Sequence, residues 1–243
     1  MAVLPYIAEF IGTAILILLG DGVVANVTLN RSGMQGGGTV QITVAWGLAV
    51  MVPALIFGAA SGAHFNPALT LALAAGGRFS WALVPGYLAA QFAGAFLGAV
   101  LVFLLFQDQL EATESPAAKL GVFATSPAVP HLSRNLLSEG VGAFLLVFTL
   151  LGMDQVPGLD AASGKLLVFG LIVSIGMSLG GLTGYAINPA RDLGPRLAHA
   201  LLPIRDKGSS HWRYGLTVPL FGPVLGALAA VLLYSLIPWQ PLG

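Results

Sequence analysis

Apolar runs of bilayer-spanning length recur six times along this chain, at roughly 6–27, 40–59, 81–106, 136–153, 166–182 and 216–238. Each lies near the ~20 residues that a helix needs to cross a hydrocarbon core. Charged residues make up only 8% of the chain, whereas a soluble domain carries about 25%. The pattern predicts an all-α membrane protein with six transmembrane helices. The polar stretches 30–38, 107–134, 154–165 and 203–213 read as loops between them. An even number of spans puts both termini on one side. No basic residue precedes the first run, which contains Glu9, so it reads as a membrane helix and not as a cleaved signal.

Two further apolar pieces, 66–75 and 188–199, are too short to cross. At 1.5 Å per residue they reach about half-way. Each opens with Asn-Pro: asparagine is a favoured N-cap, and proline suits the first helical turn, where its missing N–H costs nothing. The first piece stops at Gly76-Gly77, a plausible helix end.

The halves also repeat. Glu9 in AEFIGT is echoed by Glu139 in SEGVGA, WGL at 46–48 by FGL at 169–171, and Asn66-Pro67-Ala68 by Asn188-Pro189-Ala190. Gly94/Gly98 is likewise echoed by Gly222/Gly226, all in one order at offsets of 122 to 130 residues. Residues 1–243 thus read as one channel domain with internal repeats at about 5–106 and 135–238. Each half holds three spans and one half-span. Three is odd, so the second half starts from the opposite face and the repeat is inverted. The two half-helices then enter from opposite sides and meet, N-terminus to N-terminus, around a central pore. Non-helical backbone at that depth is tolerated only where it is buried in protein or lines a water-filled cavity.

GAHFNPALT (62–70) and GYAINPARD (184–192) together resemble the paired signature of the aquaporin and glycerol-facilitator family, the major intrinsic proteins, and its aquaglyceroporin branch. The resemblance covers essentially the whole chain. It implies a passive channel for glycerol and similar small uncharged solutes that also conducts water and excludes ions and protons. It further implies a homotetramer with one pore per subunit. Physically, Asn66 and Asn188 would cap two converging helix N-termini, with their amide N–H groups free in the lumen. Each end carries roughly half a positive charge, so the pair opposes a cation at the pore centre.

Arg191 falls one turn after Asn188, and intramembrane arginine by default marks a pathway. The other reading, a structural pairing to the adjacent Asp192, is poor, because neighbouring helix positions diverge. Trp46 lies well inside a span, unlike Trp81, Trp212 and Trp239 near span ends. By resemblance it is the filter tryptophan of glycerol facilitators, and Tyr185 is the second filter aromatic, usually phenylalanine in glycerol-selective members. Gly176 stands where water-selective members typically carry histidine, and glycine is expected to widen the constriction. Trp46, Gly176, Tyr185 and Arg191 are therefore the expected selectivity filter, and Asp192 also resembles the glycerol-conducting branch. Glu9 and Glu139 are expected to accept hydrogen bonds from the re-entrant backbone, with Asp192 as further loop support. Gly62, Ala63, His64, Phe65, Ala186 and Ile187 are expected to line the lumen, with carbonyls of Gly62, Ala63, His64 and Tyr185 facing it.

Zero net charge removes the electrostatic case for nucleic acid. The absence of cysteine excludes thiolate metal sites, disulfides and cysteine nucleophiles. No G-x-S-x-G or H-E-x-x-H occurs, so no catalytic residue, cofactor or metal is expected, and the chain is not read as an enzyme. The rivals are a water-selective aquaporin and a coupled secondary transporter, which needs a titratable midplane site. The expected partners are the small solutes and the lipid bilayer, in a prokaryotic inner membrane with cytoplasmic termini. Charge counting favours the reverse orientation, since Arg78 and Lys165 alone would face inward.

Overall fold

A computed structural model describes residues 3–239. The ends of the expected domain, 1–2 and 240–243, lie outside the described residues. The six spans form as α1 (Leu4–Thr28), α2 (Gly38–Ser61), α4 (Val84–Leu105), α7 (Leu132–Gly152), α8 (Ala161–Thr183) and α11 (Val218–Leu236). The half-spans are α3 (Pro67–Ala75) and α9 (Pro189–Leu201). Short helices α5 (Gln107–Ala112), α6 (Pro116–Phe123) and α10 (Trp212–Gly215) complete the set.

The packing maps onto itself when the halves are exchanged. α1 lies against α2 and α4, as α7 lies against α8 and α11, and α2 meets α8 at the centre. Each half-helix crosses over: α3 packs on α11 and α9 on α4. Each half therefore buries the short helix of the other, and the two interlock. Close approach is secured by the repeated glycines. A Cβ on Gly94 or Gly98 would strike α1 backbone, and one on Gly226 would strike the backbone of Gly140 in α7. The Gly-x-x-x-Gly pairs thus pack helices within the chain. The outward surface stays apolar, with Leu55, Leu104, Leu137 and Leu225 all more than half exposed, as a helix bundle facing lipid requires.

The connector 107–134 differs from the expected loop. Ser115 accepts from the Ala118 N–H and Pro116 occupies the first turn, starting α6, which buries Leu120, Val122 and Phe123. Likewise Asp160 accepts from the N–H groups of Ala162 and Ser163 and starts α8 before the apolar run begins. Ser163 also donates to it, and these bonds hold the Asp160 carboxyl below its usual range.

Candidate functional site

α2 and α8 end alike, on Gly62 (φ 82°) and Gly184 (φ 81°), both left-handed. From there each chain turns back as a re-entrant strand without regular secondary structure to the next half-helix. Asn66 caps α3 by accepting from the Ala68 N–H at 2.9 Å. Asn188 caps α9 by accepting from Ala190 at 3.0 Å and Arg191 at 3.2 Å. The side-chain amides then reach across the repeat. Asn66 Nδ2 donates to the Ile187 carbonyl at 2.9 Å and Asn188 Nδ2 to the Phe65 carbonyl at 2.7 Å. The two helix tips therefore meet. The expectation that both amides are wholly free is corrected: an amide has two N–H bonds, and one from each asparagine locks the opposite strand.

Between glycine and asparagine the strands hold four non-glycine residues at positive φ: Ala63 (54°), Phe65 (49°), Tyr185 (38°) and Ile187 (43°). Such backbone is strained and persists only when its surroundings over-determine it. The glutamates do this. Glu9 accepts from the N–H groups of His64 (2.9 Å) and Phe65 (2.7 Å), and from Ser61 and Gln91 side chains. Glu139 accepts from Ala186 (3.0 Å) and Ile187 (2.7 Å). Both carboxylates are fully buried. Drawing the N–H groups to one side leaves the other side of each strand, Gly62–Asn66 and Tyr185–Asn188, lining a cavity. His64 lies in that wall, its Nδ1 3.1 Å from the Thr70 hydroxyl and its ring against Phe79 and Tyr87.

Among the described residues lie cavities of about 630 Å³ and about 1060 Å³. A water occupies about 30 Å³, so both are vestibule-sized, and they adjoin. They share three lining residues: Trp46, Tyr185 and Arg191. The Arg191 guanidinium carbon sits 4.1 Å from the centre of the Trp46 ring, a cation–π contact. Gly20 of α1 makes room for that indole, since a Cβ there would overlap it.

Gly176 lines the larger cavity beside this point, and its neighbours crowd the place where a side chain would start. A Cβ on Gly176 would come 2.5 Å from Thr43 and 2.8 Å from the Tyr185 ring, and one on Gly180 2.6 Å from the same ring. The space released by the missing side chain is taken by the tyrosine.

Arg191 does have a carboxylate partner, from another helix. Its Nη1 lies 3.6 Å from an oxygen of Asp21 in α1. Asp192 instead holds Arg196 (2.7 Å) and accepts from the N–H (2.8 Å) and hydroxyl (2.7 Å) of Thr125, joining α9 to the chain after α6. Sequence reasoning missed Asp21, Thr125 and Arg196. The Asp192–Arg196 spacing of four was a usable signal for one of these pairs.

The family model for major intrinsic proteins matches residues 2–234. The chain belongs to this family. Among relatives of this major intrinsic protein is a probable glycerol uptake facilitator protein of Thermotoga maritima. It is 50% identical over 230 residues, covering 95% of this chain and 97% of the relative. The glycerol uptake facilitator protein of Bacillus subtilis is 51% identical over 227 residues, 93% of this chain and 82% of the relative. The X-ray structure of the aquaglyceroporin from Plasmodium falciparum superposes with a TM-score of 0.84 at 29% identity, covering 97% of this chain and 96% of that one. The chain is thus an integral, multi-pass membrane protein of the aquaporin fold, and members of its family are channels, not enzymes.

Proposed function

We propose that this protein is a passive channel for glycerol and similar small uncharged solutes, which also passes water and turns back ions and protons. The observation that carries the reading is the single meeting point of the two vestibules at Trp46, Tyr185 and Arg191. Two aromatic faces supply an apolar wall for the C–H side of a polyol, while the guanidinium donates to its hydroxyls. Gly176 belongs to this filter as the seat of the Tyr185 ring. Below it, the tips of α3 and α9 face each other, and their partial positive charges oppose cations. The free N–H of each asparagine orients a passing oxygen and breaks a continuous proton wire. Gly62, Ala63, His64, Phe65, Ala186 and Ile187 form the lining that Glu9 and Glu139 hold in place, and Asp192 secures the mouth through Thr125 and Arg196. The names of the relatives support glycerol as the solute. The bacterial relatives support a prokaryotic inner membrane. We place the termini in the cytoplasm and take the assembly to be a homotetramer, as the family resemblance implies.

Stopped-flow light scattering on proteoliposomes tests this. Vesicles with the protein should re-swell in an inward glycerol gradient much faster than empty vesicles, and should only shrink in sucrose. Re-swelling at the empty-vesicle rate would reject glycerol. Fast shrinkage in sucrose without fast glycerol entry would identify the water-selective alternative.

A further inference from the structure

Four buried acidic side chains stand close to the re-entrant strands or to α9, and three have obvious work. Glu9 and Glu139 accept backbone N–H groups of the strands, and Asp192 accepts from Thr125 and Arg196. Asp21 is the fourth. It is 0% exposed, and neither of its carboxylate oxygens accepts a hydrogen bond from any group among the described residues. Its one partner is the Arg191 guanidinium, 3.6 Å away, whose Nη1 is likewise without a hydrogen bond.

This is a contact of charge and not of shape. A buried carboxylate without donors is costly to fold, and an isolated ion pair rarely repays its own desolvation. Ionisable groups inside membrane helices accordingly mark function more often than stability. The position points the same way. The guanidinium stands at the one place where both vestibules touch, with the Trp46 ring at 4.1 Å and the carboxylate of α1 at 3.6 Å as its neighbours. A lone guanidinium in a narrow, low-dielectric passage would draw anions as strongly as it draws hydroxyl oxygens. At an effective dielectric constant near 20, a charge about 8 Å from a permeating ion still changes its entry on the order of tenfold or more. A compensating charge of opposite sign at that range cancels most of that effect, while the N–H groups facing the lumen keep their hydrogen bonds.

We propose that Asp21 is a specificity-determining residue: its carboxylate neutralises the filter arginine, so that the constriction binds hydroxyls without admitting small anions. This rests on the assignment of Arg191, Trp46 and Tyr185 as the filter. Asp21 does not touch the solute. It acts through Arg191.

The test is the ratio of nitrate to glycerol permeability in the same proteoliposomes, with nitrate entry followed as swelling in potassium nitrate plus valinomycin. Asp21→Asn should raise that ratio on the order of tenfold, whereas Asp21→Glu, which keeps the charge, should hold it near the unsubstituted value. An unchanged ratio in Asp21→Asn overturns the proposal, as does an equal rise in both variants, which would signify loosened packing. The double variant Asp21→Asn/Arg191→Gln carries neither charge and should return to low nitrate entry; a ratio as high as in Asp21→Asn would overturn the proposal. Should Asp21→Asn fail to reach the membrane, Asp21→Ser removes the same charge and makes the same test, and an unchanged nitrate-to-glycerol ratio there overturns the proposal. Absent glycerol flux in the unsubstituted protein sinks the channel reading itself. Normal glycerol flux with an unchanged ratio in Asp21→Asn sinks the Asp21 proposal alone.

Discussion

At the scale of single residues, the proposed filter depends on side chains that are absent. Gly176 and Gly180 present bare backbone on one face of α8, and the Tyr185 ring lies on it. A methyl added at Gly176 would overlap both Thr43 and the Tyr185 ring, and the ring, which borders both cavities, has the lumen to move into. Overpacking of this kind costs ~1–3 kcal/mol when the neighbour cannot move; here it can, at the expense of the passage. Gly176→Ala should therefore lower glycerol permeability, by roughly threefold or more, with little loss of stability. Adding Tyr185→Ala should restore the flux, as measured by vesicle re-swelling. Flux unchanged in Gly176→Ala would mean that the ring does not border the pathway. Trp46 and Arg191 were legible beforehand because their spacing from the two Asn-Pro-Ala triplets is itself a pattern. That Tyr185 fills the place beside Gly176 was not legible, because a missing side chain says nothing about which neighbour takes its room. Asp21 was invisible for another reason: it has no echo in the second repeat, and its partner comes from a helix 170 positions later.

At the scale of elements, the half-helices are short, and the strands leading to them carry the strain. Four left-handed residues are balanced by two carboxylates, each fixed on the first span of its repeat. A glutamine in place of Glu139 would offer one acceptor oxygen where two N–H groups now bond to two, leaving one donor buried without a partner. Such a donor costs ~1–3 kcal/mol. Glu9 serves four donors from Ser61, His64, Phe65 and Gln91, so Glu9→Gln should be the more damaging. Thermal unfolding in detergent should rank stability as unsubstituted, then Glu139→Gln, then Glu9→Gln, and both variants should lose glycerol flux. Equal melting of all three would show that the strands hold their geometry unaided. The glutamates were readable because the repeat pairs them. Helices α5 and α6 were not found, since six and eight residues are too few for a periodic signal. The Ser115-Pro116 start was there to be read, but it stood alone in a polar connector.

At the scale of the whole molecule, the distribution of positive charge and the proposed orientation disagree, and the structure supplies a physical reason. The rule that cytoplasmic loops collect lysine and arginine concerns charges free to interact with the membrane and the insertion machinery. Two of the cations counted against the proposed orientation are engaged in folding. Lys119 is buried and donates to the Arg205 carbonyl, and Lys207 donates to the carbonyls of Ala200 and Leu202. They close the connectors around the larger vestibule, a task that would hold them there on either side of the membrane. Orientation is therefore better tested than counted. The chain has no cysteine, so any introduced one is unique. Val129 and Val156 are exposed, at 71% and 48%, and they flank α7, which puts them on opposite faces. In spheroplasts, a membrane-impermeant maleimide should label Val129→Cys at once and Val156→Cys only after permeabilisation. The opposite pattern would invert the protein and restore the charge rule. Labelling of both without permeabilisation would mean that α7 does not cross the bilayer, and with it the odd number of spans that forces the two half-helices to meet tip to tip would be lost.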